Sequence, residues 1–176
     1  MILHYYLLFD YFTEHFTVLA GLAAGFKWVW EYIKQLRVEK TRYLVEQIEK
    51  FESKHFVKDV EKMLDWNSFK TEIFNKIDYI DDEIIMKALI THDIKDVYTE
   101  KEFYIREIFD KYFDEINKFI ILTECGLINK SDLKKLLGYW FDIISGKKTN
   151  KSKEFISSLH TYLAFYGYEK VLKFIK

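Results

Sequence analysis

The side chains able to do chemistry in this chain are few and scattered. Lys153 and His160 make the most suggestive pair, a cation and an imidazole with six residues between them in a stretch that reads as helix. The bland alternative is a partly buried helix histidine. Arg106, Asp110 and Asp114 fall at i, i+4 and i+8 on one helix side, where they form a buried charge network, a site, or ordinary surface neighbours. Asp65 and Trp66 read as a structural knot, the carboxylate capping a turn and the indole anchoring the core. His4, His15, His55, His92 and His160 lack zinc-ligand spacing, and the lone Cys125 cannot complete a set. There is no phosphate-binding glycine loop and no dinucleotide fingerprint. The expectation from these residues is a protein that is not an enzyme and carries no metal or cofactor.

The elements that position these residues read as helices. The 176 residues are 49% hydrophobic and 19% aromatic, ample for a packed core, with a net charge of −1 that sets up no field to recruit DNA. No proline occurs, so six glycines supply the strongest breaks. A lone cysteine suits a reducing compartment, and no secretory signal is evident. Glu31–Lys54 carries Leu36, Tyr43, Leu44, Ile48 and Phe51 at a roughly helical period, and Phe56–Trp66 follows with Phe56, Val57, Val60, Met63 and Leu64 inward. Asn67–Tyr79 is irregular or extended. Asp81 or Asp82 caps a short helix through Ile90. Glu100–Cys125 is the clearest helix, with Phe103, Ile108, Phe109, Tyr112, Phe113, Ile116, Phe119 and Ile120 in phase and Gly126 at its end. Ser131 is expected to cap a helix over Asp132–Ile144, closed by Gly146. Lys147, Lys148, Lys151 and Lys153 fall in the loop that follows, solvated or touching RNA or anionic lipid, before a helix over Ser152–Phe165 and an amphipathic tail, Glu169–Ile175. The predicted class is all-α, a helical bundle over residues 34–176 behind an N-terminal segment, residues 1–33.

Phe16–Ile33 sets that segment apart. Its first eleven residues carry no charge, and Lys27 and Glu31 are the only charges before Lys34. A spanning helix needs about 20 mostly apolar residues, so the stretch is marginal in length. Trp28, Trp30 and Tyr32 cluster at one end as aromatics do at a headgroup boundary. Gly21 and Gly25, with Ala20 and Ala24 beside them, allow close helix packing in lipid. Thr13, Thr17, Ala20, Ala24, Lys27, Glu31 and Lys34 form one small or polar stripe, suited to a helix contact or to a wet lumen. The basic residues after the stretch place the C-terminal part in the cytoplasm. The expected partners are therefore the inner-membrane bilayer and further copies of the chain. The competing reading is a soluble helix with Phe16, Leu19, Ala23, Phe26 and Trp30 on a core, in a soluble or peripheral adaptor without pore activity.

Two resemblances follow. Leu64-Asp65-Trp66, Phe109-Asp110-Lys111-Tyr112-Phe113, Gly126-Leu127-Ile128 and Tyr166-Gly167-Tyr168, behind one N-terminal helix and a basic helix, resemble an uncharacterised prokaryotic family of membrane-tethered helical proteins. The size, the 16–33 helix, the helical body and the Lys153/His160 pair resemble the small membrane accessory protein of type VI-B CRISPR loci. The pair is similar to a degenerate form of the HEPN ribonuclease motif, an Arg, four to six residues and a His acting at a scissile phosphate; Lys153 replaces the Arg, and Lys is the poorer fork. This second resemblance implies an oligomeric membrane pore that enhances RNA-guided antiviral defence, with a CRISPR effector or RNA as partner and no active nuclease.

Overall fold

The computed structural model describes the backbone of residues 2–73, 76–95 and 97–176, and among them all side chains except those of residues 2–14, 17 and 76. The first helix, α1 (Ile2–Glu52), runs unbroken for 51 residues, as the absence of proline permits. The chain divides into two compact units, Met1–Arg42 and Tyr43–Lys176.

In the first unit the helix expected over 16–33 is present, but its large apolar side chains are exposed: Phe16 is 69% and Trp30 72% accessible. Leu19, Ala23 and Phe26 are exposed too. Among the described residues no helix is long and apolar enough to cross a membrane. In the 16–33 stretch Lys27, Glu31, the two glycines and the amphipathic rings of Trp28, Trp30 and Tyr32 lower the apolar content.

The second unit has a hydrophobic core. α1 contributes Leu44, Ile48 and Phe51 to it; Leu36 and Tyr43, expected on the same face, are exposed. α2 (His55–Asp65) buries Val57, Val60, Met63 and Leu64. The chain then departs from an all-α fold. β1 (Ser68–Ile73) and β2 (Lys76–Asp81) pair antiparallel, with Ser68 opposite Asp81 and Ile73 opposite Lys76. The cause is local: Phe69, Thr71 and Ile73 alternate with polar residues, so a two-residue period buries one face of β1. The fold is mainly helical, with one small hairpin.

Asp81 caps α3 (Asp82–Ala88) by accepting from the Ile84 amide. α4 (Glu100–Glu124) is the central helix. Thr99 and Glu102 close a capping box at its start, and eight of its apolar residues, Ile105 to Ile120, are buried. It packs on α2, α3 and the C-terminal α8 (Glu169–Ile175). Phe103, expected inward, is 58% exposed because it lies in the first turn, off the buried stripe. Gly126 ends the helix at φ +70°, where a side chain would be strained.

The single helix expected over Asp132–Ile144 is two: α5 (Lys130–Leu136), capped by Asn129 rather than Ser131, and α6 (Gly138–Ile144). The break falls at Leu137, whose ψ of 11° leaves the helical range just before a helix-weakening glycine. Ser152 caps α7 (Lys153–Phe165) by accepting from the Phe155 amide.

Candidate functional site

The densest polar cluster lies where α4 meets α7. Arg106 is buried on α4 and donates through Nη1 to the carbonyls of Ala88 and Ile90, both at 2.8 Å, at the C-terminal end of α3. Through Nη2 it donates to the Tyr166 hydroxyl and approaches His92 Nδ1 at 3.4 Å. The guanidinium also sits 4.3 Å from the Tyr98 ring centre, with the Tyr162 and Tyr166 rings at 5.3 and 5.0 Å. Guanidinium has five donors, and these contacts engage nearly all of them.

One turn on, Asp110 accepts from the Tyr162 hydroxyl, and Asp114 accepts from Tyr168 at 3.0 Å. Burial is the main cause that raises the Asp110 carboxyl above its ordinary range, opposed by the Tyr162 hydrogen bond. Burial, then the hydrogen bond to Asp110, pushes the Tyr162 phenol far up, so it remains a donor. The i, i+4, i+8 line of Arg106, Asp110 and Asp114 is therefore a charge network satisfied from within. It joins the end of α3, the centre of α4 and the Tyr166–Tyr168 corner. Sequence spacing locates Arg106, Asp110 and Asp114, and the Tyr-Gly-Tyr run holds Tyr166 and Tyr168, but no local pattern points to His92, Tyr98 or Tyr162 as partners.

Tyr166 is also 2.8 Å from His92 Nδ1. His92 is exposed, and its ring also meets Phe165 edge-on at 5.9 Å. Among the described residues no group of three His, Cys, Asp or Glu side chains is placed to hold a metal.

Lys153 and His160 both lie on α7, and their seven-residue step, about 10 Å along the axis, returns them to nearly the same face. His160 is half-buried with Nε2 2.8 Å from the Ile144 carbonyl, tying α7 to the end of α6. Lys153 is exposed and borders a shallow groove of about 590 Å³ with Met86, Ile94, Ser157 and Thr161.

Lys151, expected in a solvated loop, is instead buried, donating to the Trp66 carbonyl at 2.6 Å and to Asp82. Burial lowers its pKa, and Asp82 opposes that shift. It staples the end of α2 to the start of α3. Asp65, expected to cap a turn, accepts from the Tyr139 hydroxyl at 2.7 Å, while Trp66 is largely exposed rather than a core anchor.

The remaining candidates lie on α1. Ala20, Gly21, Ala24 and Gly25 are exposed, and a Cβ added to either glycine would meet nothing within 4 Å. Lys27, Glu31 and Lys34 are exposed on the same helix. Thr13 and Thr17 are on α1 as expected, but their side chains lie outside the described residues. The stripe is therefore continuous along the helix from Ala20 to Lys34. The chain matches no protein-family model, no curated protein and no solved structure.

Proposed function

We propose that the protein is a helical homo-oligomer acting at the cytoplasmic membrane, with α1 as the segment that meets lipid and neighbouring copies. The Tyr43–Lys176 unit is then the cytoplasmic body. The observation that carries this reading is the exposure of Phe16, Leu19, Leu22, Phe26, Val29 and Trp30 along one helix. An apolar surface of this extent on a soluble monomer is unusual and marks an interaction or membrane site. Lys27 and Glu31 leave the helix short of an unassisted span, so neighbouring copies must shelter them. Ala20, Gly21, Ala24 and Gly25 allow the close approach this requires. A role as an antiviral-defence accessory that permeabilises the membrane, beside a CRISPR effector or RNA, follows from the resemblance to the type VI-B accessory proteins.

The test is native mass measurement in detergent alongside membrane fractionation. The intact protein is expected in the membrane pellet as a defined oligomer. Gly21→Leu or Gly25→Leu is expected to break the oligomer and leave membrane association intact, because leucine suits lipid but not a close helix crossing. An unchanged oligomer in both variants overturns the packing claim. A second reading, a soluble or peripheral adaptor without pore activity, is favoured by the lack of a described helix apolar enough to cross a membrane. Fractionation of the intact protein as soluble, without detergent, would establish it.

A further inference from the structure

We infer that α1 carries a binding collar for anionic lipid headgroups, made by Lys34, Arg37 and Arg42 just beyond the aromatic band of Trp28, Trp30 and Tyr32. The inference rests on the proposal that α1 acts at the membrane, and names the lipid chemistry it selects.

The first observation is unmatched charge. Residues 27–42 hold five basic side chains against Glu31 and Glu39. Lys34, Arg37 and Arg42 are exposed, and among the described residues no carboxylate lies in ion-pair range of any of them. The other unit behaves differently. There Lys54, Lys101, Lys118 and Lys170 each meet a carboxylate at 2.6 to 2.9 Å. Lys34, Arg37 and Arg42 thus stand as three exposed cations within nine residues of one helix.

The second observation is linear order. Along α1 a run of exposed apolar side chains, Phe16 to Phe26, comes first; after Lys27 follow the aromatics Trp28, Trp30 and Tyr32, with Trp28 and Tyr32 stacked at 5.9 Å; Lys34, Arg37 and Arg42 come last, interspersed with exposed Leu36 and Val38. At 1.5 Å per residue, Trp30 and Arg42 lie about 18 Å apart along the axis. Hydrocarbon, interface and headgroup layers follow one another in the same order. RNA offers a basic helix no such gradient, so the observations favour a bilayer surface over a nucleic acid. Each Lys or Arg near an anionic surface contributes roughly fivefold in binding.

The experiment uses the full chain, floated with phosphatidylcholine vesicles and with vesicles that also contain phosphatidylglycerol, at low and at high salt. The variant is Lys34→Gln/Arg37→Gln/Arg42→Gln; all three positions are exposed, and glutamine keeps helix propensity. Far-ultraviolet circular dichroism checks that helicity is retained. The wild type is expected to prefer phosphatidylglycerol vesicles and to lose that preference at high salt. The triple variant should bind those vesicles on the order of a hundredfold more weakly. It should match the wild type on phosphatidylcholine. Lys148→Gln, in the other unit, should bind as wild type.

Equal binding of wild type and triple variant to phosphatidylglycerol vesicles overturns the collar, and flotation on both vesicle types would leave the membrane reading standing. Failure to float on either type overturns both. A single-stranded RNA oligonucleotide supplies the last arm. If the triple variant loses RNA binding but keeps its vesicle binding, the cations serve nucleic acid and the inference is wrong.

Discussion

Arg106→Met separates a structural role for the α4 cluster from a ligand-binding one. Methionine fills much of the arginine's volume, so the main loss is polar. The Ala88 and Ile90 carbonyls each lose a 2.8 Å donor, Tyr166 loses its guanidinium partner, and the Tyr98 ring loses the cation 4.3 Å away. Each buried acceptor left bare costs about 1–3 kcal/mol. Asp110 also loses a favourable neighbouring charge. The loss of hydrogen bonds to a charged group adds to this, and breaking a buried charged arrangement costs about 3–5 kcal/mol. The expected destabilisation is therefore about 3–5 kcal/mol, a large part of the stability of an ordinary domain. Arg106→Lys should lose less, about 1–3 kcal/mol, because one ammonium can stand in for the Nη1 donor to the two carbonyls but not also for the Nη2 donor to Tyr166. The assay is urea denaturation in one fixed detergent, followed by circular dichroism, with the midpoint compared at constant slope. A methionine variant within about 1 kcal/mol of wild type would refute the reasoning, since the clamp would then contribute nothing.

Two further perturbations test the other side of the core. Tyr112 is fully buried and its hydroxyl has no hydrogen-bond partner, so Tyr112→Phe should stabilise the protein by about 1 kcal/mol in the same denaturation assay; destabilisation would reveal a partner for the hydroxyl. Burial, then the neighbouring Glu52, raises the half-buried Glu61 carboxyl to about 7. Its native form therefore holds the proton more tightly than the unfolded chain does. The stability from that proton is full below the ordinary carboxylate range and is lost as pH rises through about 7. After allowance for solvent screening the loss is about 1–2 kcal/mol. Glu61→Gln, a mimic of the protonated acid, should match wild type at acidic pH and exceed it by that amount in mildly alkaline buffer. A constant difference across the range would show that Glu61 does not titrate between the two conditions.

Legibility in the sequence followed the strength of local signals. α4 was readable because its apolar residues repeat at helical spacing over many turns and Gly126 closes it. Its Thr99–Glu102 capping box was equally visible as a residue pattern but lay outside the helix as read. The hairpin was obscure because Phe69, Ile73 and Ile77 fit a four-residue period as well as an alternation. What decides for strand is the pairing of Phe69 with Ile80, a tertiary fact. The α5–α6 break was hidden by an apolar run, Leu133 to Ile144, that continues across Leu137. Lys151 was misread for the same reason: nothing local distinguishes it from Lys147 and Lys148, and only Asp82, far away in sequence, draws it inward. Arg106 stands out by its spacing to Asp110 and Asp114. Its partners come from the α3–α4 connection and from α7, and no spacing rule links them.

α1 presents a different problem, because its two faces ask for two different neighbours. Leu19, Leu22, Phe26, Val29, Trp30 and Ile33 follow one another at three- and four-residue steps and form a broad face of large apolar groups. Ala20, Ala24, Lys27, Glu31 and Lys34 occupy the opposite side. A soluble amphipathic helix buries its large face and leaves charges to water, yet here both faces are exposed in the chain by itself. Lipid satisfies the large face without any specific partner, but it is a poor solvent for Lys27 and Glu31. A second copy of the helix satisfies the other side, since alanine and glycine admit its backbone and charges of opposite sign can pair across the crossing. Neither environment alone serves both faces. The two together do, which is why oligomerisation and membrane contact are expected to be lost or kept separately: glycine-to-leucine changes remove the first, and the large apolar face retains the second.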